Sequence, residues 1–218
     1  MAPRAVKTIY LFSGLGADQR VVQQLDLRGY NLVFIQWIAP ENKETIQSYA
    51  RRLSKQIETE NPILIGISFG GMIACEIAAM MPVEKLILIA SAKTRQELPV
   101  YYCIAGKCRL HRLLPADVMR RSGRIANWFF GAETKAEQQL LKAILNDTDT
   151  AFLKWAIDAI VRWKRVDSIP NTFHLHGTQD RIIPFRNIRS ATAVRDGGHF
   201  MTVSKGAEVS EVLKEILI

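Results

Sequence analysis

The sequence has no apolar run approaching the ~18 residues that a membrane span requires, and stretches such as Leu86–Ala90 are only strand-length. It has no internal repeat and no low-complexity segment, which excludes solenoid and disordered architectures. Cysteine is scarce. Cys75, Cys103 and Cys108 are odd in number and lack paired spacing, so a disulfide framework is not expected and a cytoplasmic, reducing setting is. Only four histidines are present; none is spaced beside Cys103 and Cys108 to complete a metal site, and no metal or organic cofactor is expected. Arg4 and Lys7 before Thr8–Phe12 imitate a signal peptide, but Ser13-Gly14 breaks the stretch at once and a strand followed by a loop fits better.

What is present is the composition of an ordinary globular chain: 218 residues, 48% hydrophobic and 23% charged, enough for one well-buried core. The net charge of +8 is unevenly placed. Lys93, Arg95, Lys107, Arg109, Arg112, Arg120, Arg121 and Arg124 face only Glu97 and Asp117 along that stretch. Such a segment is either a solvated basic face or a surface that attracts an anionic substrate, such as a carboxylate or a phosphate-bearing thioester. No binding motif or aromatic–basic interleaving accompanies the charge, so a nucleic-acid partner is not expected.

Short apolar runs alternate with longer amphipathic ones, the pattern of a parallel sheet covered by helices. Strands are expected at 7–12, 31–36, 63–67, 85–90, 172–176 and 191–195, and helices at 19–25, 44–60, 69–81 and 203–217. From about 110 to 167 only helical patterns occur, including 135–145 and 150–163. This segment reads as a helical lid inserted within one α/β domain spanning 1–218, placed to cover the strand ends where ligands bind.

Gly66-Ile67-Ser68-Phe69-Gly70 follows an apolar strand and opens an apolar helix. A serine at so sharp a strand-to-helix turn has its hydroxyl pushed clear of the sheet, and crowding two residues to either side calls for glycine, here Gly66 and Gly70. A nucleophile there needs a base, and His199 in Gly197-Gly198-His199-Phe200 lies after the final strand in a loop free to reach it. His174 and His176 alternate with Leu175 on one strand face and are expected to pack or hydrogen-bond in the core, while His111 is expected at the surface. The acid that orients the base is Asp180, just after a strand; the loop at Ala90–Lys93 has no carboxylate. Two N–H donors should hold the oxyanion: that of Phe69, and that of Leu15 between Gly14 and Gly16.

On these residues the chain resembles the α/β-hydrolase superfamily, and within it the compact bacterial serine hydrolases. The match extends from Gly14-Leu15-Gly16 through Gly66–Gly70 and His176–Pro184 to Gly198-His199-Phe200, in the chain order serine, aspartate, histidine. The resemblance implies a doubly wound, mostly parallel sheet of about six strands, with the two leading strands of larger members missing and the edge near residue 31 exposed. The histidine common in the oxyanion loop is replaced by Ser13, whose hydroxyl is expected to brace the loop. The implied reaction is hydrolysis of a carboxylic ester or thioester through an acyl-enzyme. Acyl transfer, a lyase reaction on the same triad, and a low-turnover ligand- or partner-binding role are the alternatives. Trp128, Phe129, Phe130, Trp155 and Trp163 either line an apolar substrate pocket or pack the helical segment onto the core.

Overall fold

In a computed structural model, residues 6–108 and 123–218 are described. Arg4, and Arg109, Leu110, His111, Arg112, Asp117, Arg120 and Arg121 of the basic stretch, lie outside them. Six strands form one sheet: β1 (Thr8–Phe12), β2 (Asn31–Phe34), β3 (Ile63–Ile67), β4 (Lys85–Ile89), β5 (Thr172–Gly177) and β6 (Thr192–Val194). Their spatial order is β2-β1-β3-β4-β5-β6 and every pairing is parallel. All six sequence-expected strands are present. The edge expected near residue 31 is β2, where Asn31 and Leu32 are exposed.

Period-two alternation divides the core between the sheet's two faces. Ile9, Leu11, Ile63, Ile65, Ile87 and Ile89 pack on one side, while Tyr10, Phe12, Leu64, Leu86 and Leu88 pack on the other. The second face is covered by α1 (Ile46–Leu53) and α2 (Phe69–Ala78). Helix α1 starts at a capping box, Thr45 with Ser48, but is shorter than the periodicity of 44–60 predicts. Its chain turns at a 3-10 segment, Ser54–Gln56, and the Tyr10 hydroxyl then accepts the N–H groups of Glu58 and Thr59. Tertiary hydrogen bonding thus takes over where the apolar spacing continues.

Between β4 and β5 the described chain is helical: α3 (Val100–Lys107), α4 (Arg124–Phe130), α5 (Lys135–Asp147) and α6 (Thr150–Val161). Helix α5 carries a capping box, Thr134 with Glu137, and α6 is capped by the Asp149 side chain. The expected C-terminal helix is two pieces, α7 (Met201–Ser204) and α8 (Gly206–Leu217). Lys205 between them is non-helical, φ −128° and ψ 29°, and Gly206 lies against Gln24, too close for a side chain. Among the described residues no helix is long and apolar enough to cross a membrane.

Strand order decides where the site can be. The chain leaves β1 toward β2 on one side and returns to β3 on the other, so loops after β1 and β3 diverge and open a crevice between them. Phe12 pairs with Gly66, which brings the Ser13–Gly16 loop beside Ser68.

Candidate active site

Ser68 occupies a left-handed conformation, φ +52° and ψ −122°, that a non-glycine residue adopts only when its surroundings enforce it. They do so from both ends of its peptide unit. Its N–H donates to the Ile89 carbonyl at 2.9 Å, and its carbonyl accepts from the Gly71 N–H at 3.0 Å and the Ser91 hydroxyl at 2.6 Å. The flanking glycines are sterically required. A side chain at Gly70 would strike the Phe12 and Ser13 carbonyls, and one at Gly66 would strike the Gly71 backbone.

His199 and Asp180 arrive from the far side of β4. The Ser68 Oγ lies 2.8 Å from His199 Nε2, and His199 Nδ1 lies 2.7 Å from Asp180 Oδ2. Asp180 and His199 are almost fully buried, and Ser68 is half-buried. The other Asp180 oxygen, Oδ1, accepts the N–H groups of Ile182 at 2.8 Å and Ile183 at 2.9 Å. Burial alone would raise the Asp180 pKa, but its contacts with His199 and His176 together hold the carboxyl below its ordinary range. It is therefore a carboxylate at neutral pH. An ionised Asp180 accepts from Nδ1–H of a neutral His199, which leaves Nε2 with a lone pair to take the Ser68 proton.

The loop carrying His199 is clamped on two sides. Gln179 N–H donates to the Gly197 carbonyl, and Phe200 N–H donates to the Phe130 carbonyl, both at 2.9 Å. The Phe130 ring meets the His199 imidazole edge-on with centroids 5.7 Å apart. Gly131, in the left-handed conformation at the end of α4, abuts Gly198. Helix α4 thus holds the His199 loop in place, a contact that no local pattern announces.

Leu15 borders the same cavity as Ser68 and His199. Among the described residues, the backbone N–H groups of Leu15 and Phe69 donate to no protein acceptor. The Ser13 hydroxyl donates to the Ala17 carbonyl at 2.6 Å and accepts from the Trp37 indole N–H at 3.0 Å, which braces the loop as expected.

Two apolar cavities open at Ser68. One, of about 290 Å³, is bordered by Gly14, Leu15, His199, Phe130, Leu141, Ile144, Leu145 and Leu153. The other, of about 250 Å³, is bordered by Phe69, Met72, Leu98, Tyr102, Val161 and Ile183. Ser68, Ile157, Ile160 and Ile182 belong to both. The described lining of each contains no lysine, arginine, aspartate or glutamate.

Of the five aromatic residues considered for a substrate pocket, Phe130 alone lines either cavity. Trp163 is 1% exposed and donates its indole N–H to Glu76 at 2.7 Å, so it packs the core. Trp155 packs against Tyr49 with the rings tilted at 39° and centroids 4.2 Å apart, and it donates its indole N–H to the Glu44 carbonyl. Trp128 and Phe129 point outward, 57% and 41% exposed, with the Arg181 guanidinium over the Trp128 ring. Aliphatic residues of α5 and α6 form the wall instead.

With this geometry established, comparison with known proteins places the fold. A family model described as alpha/beta hydrolase family matches residues 10–212. The chain belongs to the alpha/beta hydrolase family. Comparison with curated proteins gives no match. Among solved structures it is similar to the enol-lactonase from Burkholderia xenovorans LB400, with TM-score 0.71 and 17% identity over 100% of this chain and 93% of that one. It is also similar to an esterase from Exiguobacterium antarcticum, with TM-score 0.70 and 17% identity over 97% and 92%. A bromoperoxidase from Bacillus anthracis aligns with TM-score 0.67 and 16% identity over 98% and 92%. Likeness at this identity carries the fold and not the substrate.

His176 escaped the sequence reading as a site residue. It was assigned to the core, where it is, but its Nε2 also lies 3.3 Å from Asp180 Oδ2. The available signal was its position four residues before the acid, on the strand that delivers it.

Proposed function

We propose that this member of the alpha/beta hydrolase family is a serine hydrolase that cleaves a carboxylic ester or thioester through an acyl-enzyme. The observation that carries the reading is the continuous hydrogen-bonded line from Ser68 through His199 to Asp180, with links of 2.8 and 2.7 Å, at the mouth of two apolar cavities. His199 Nε2 takes the Ser68 proton as Oγ attacks the carbonyl carbon, and Asp180 stabilises the imidazolium that forms. The N–H groups of Leu15 and Phe69 receive the oxyanion. His199 then protonates the departing oxygen or sulfur. Water, deprotonated in turn by His199, attacks the acyl-enzyme and frees the acid and Ser68.

This chemistry orients the substrate. The leaving group must lie within reach of His199, so it belongs in the cavity that His199 borders; the acyl chain belongs in the cavity of Phe69, Met72 and Leu98. The uncharged described walls favour apolar groups on both sides of the ester. On this reading the described helices α4, α5 and α6 act as a lid, of which α5 and α6 set substrate size, and the protein works in the cytoplasm; residues 110–122 of the expected lid lie outside the described residues. An anionic substrate would have to find its cationic partner outside the described lining.

The test is labelling with a fluorophosphonate probe, the adduct located by mass spectrometry, together with hydrolysis of p-nitrophenyl esters of increasing acyl length. Labelling at Ser68, lost in Ser68→Ala together with hydrolysis, is the expected result. Full hydrolysis by Ser68→Ala would overturn the mechanism.

A further inference from the structure

Behind the acid, on the side away from His199, β5 carries two buried histidines that the mechanism does not use. His176 is 0% and His174 3% exposed. The His176 Nε2 lies 2.8 Å from the Ile183 carbonyl and 3.3 Å from Asp180 Oδ2, and its Nδ1 lies 3.2 Å from His174 Nε2.

These contacts constrain the protons. A carbonyl oxygen only accepts, so His176 Nε2 must carry hydrogen. In a neutral imidazole Nδ1 then holds a lone pair, and His174 Nε2 must donate to it. This leaves a lone pair on His174 Nδ1, a buried nitrogen that makes no hydrogen bond of normal geometry among the described residues, although the Ser91 backbone lies close enough to favour the protonated ring weakly. The environment keeps His174 neutral: burial, then the neighbouring His176, push its pKa down to about 3.

We infer that His176 is a positioning residue for the catalytic acid, its Nε2–H shared between the Ile183 carbonyl and Asp180 Oδ2, with His174 fixing its tautomer. The carboxylate accepts two backbone N–H groups on Oδ1 and His199 on Oδ2, and His176 Nε2 stands 3.3 Å from Oδ2 as a fourth neighbour. The second histidine fixes the rotation of the carboxylate so that Oδ2 faces His199 Nδ1, and it also draws some charge from that oxygen; in the rate, loss of the alignment outweighs the more basic carboxylate. The other titratable groups near this assembly are Lys93, from the loop after β4, and Tyr102, from α3. Lys93 is held by the Arg189 and Ser190 carbonyls and paired with Glu97.

The inference rests on the serine-hydrolase reading and is tested with His176→Leu and His176→Gln, the latter restoring a donor at the reach of Nε2. His176→Leu should lower kcat about tenfold, the loss expected for one long hydrogen bond to a charged group, with KM nearly unchanged. Its more basic Asp180 should raise the His199 pKa, so the acid limb of the kcat/KM profile moves to higher pH. His176→Gln should recover part of both changes. A folded His176→Leu protein with an unmoved acid limb, or a His176→Gln protein as impaired as His176→Leu, would overturn the inference.

If His176→Leu does not fold, histidine ¹⁵N spectra of the unaltered protein decide. His176 protonated on Nε2 alone at neutral pH supports the assignment, whereas an imidazolium or an Nδ1–H tautomer refutes it. Fluorophosphonate labelling separates the two levels. Absence of labelling at Ser68 defeats the hydrolase reading, while labelling with an unmoved acid limb defeats only the role of His176.

Discussion

The elbow and the helical segment between β4 and β5 form opposite walls of the same cavities, and they are built on different physics. At the elbow the constraint is backbone against backbone: Gly66 meets Gly71, Gly70 meets the Phe12 and Ser13 carbonyls, and Ser68 is fixed in a left-handed conformation. At α5 and α6 the wall is aliphatic side chain, with Leu141, Ile144, Leu153 and Ile157 facing the space. Backbone contacts admit almost no substitution without movement, whereas apolar side chains of similar volume exchange at modest cost. Position of the nucleophile is therefore rigidly held, while the shape of the pocket is adjustable.

Breaking the chemical side should have the largest effect. Asp180→Asn should lower kcat about 10⁴-fold, because an amide in that place favours the wrong His199 tautomer; steady-state kinetics on an accepted ester measures it. Gly70→Ala should come next. The added methyl has only the Phe12 and Ser13 carbonyls to push against, so it should cost about 1–3 kcal/mol in chemical denaturation and also reduce fluorophosphonate labelling by shifting Ser68. Equal stability and labelling in this variant would erase the contrast between the two walls.

The adjustable side should respond differently. Ile157 borders both cavities, and Ile157→Phe should reduce kcat/KM for long-chain p-nitrophenyl esters at least about tenfold. Short-chain esters should change little, because the reacting groups are untouched. A uniform loss across chain lengths would mean that α6 also positions the chemistry.

The remaining effect concerns stability and leaves the chemistry at neutral pH untouched. His174 is neutral in the folded protein, with its pKa pushed down from an unfolded value near 6.5 to about 3 by burial and by His176. The unfolded chain therefore binds more protons across that interval. Stability contributed by this group is complete above about pH 6.5 and declines as pH falls toward 3. Asp180, held below the ordinary carboxylate range, adds a further loss at pH below about 4. His174→Phe, if folded, should show a flatter dependence of denaturation midpoint on pH between 6.5 and 4.

Strands β1, β3 and β4 were legible as almost unbroken apolar runs, while β2, β5 and β6 were marked by shorter runs between turns. The elbow and the order Ser68, Asp180, His199 were legible because strained turns and crowded backbones demand particular residue types at fixed spacing. The pocket was not. Trp155 and Trp163 share the helical spacing of a lining residue, yet Tyr49 and Glu76 claim them from other elements. The role of α4 in holding the His199 loop was equally hidden, since the Phe130 carbonyl and the Phe200 N–H are 70 residues apart.

The sequence by itself determined the fold class, the strand boundaries to within a residue or two, and the identity of the candidate triad, all of which follow from local sterics and periodicity. Only the tertiary structure decided which apolar residues face the cavities, how α4 clamps the His199 loop, and that His176 lies 3.3 Å from Asp180. These depend on which surfaces meet when the helices close over the strand ends, and a side chain's spacing along its own helix or strand does not say what lies opposite it.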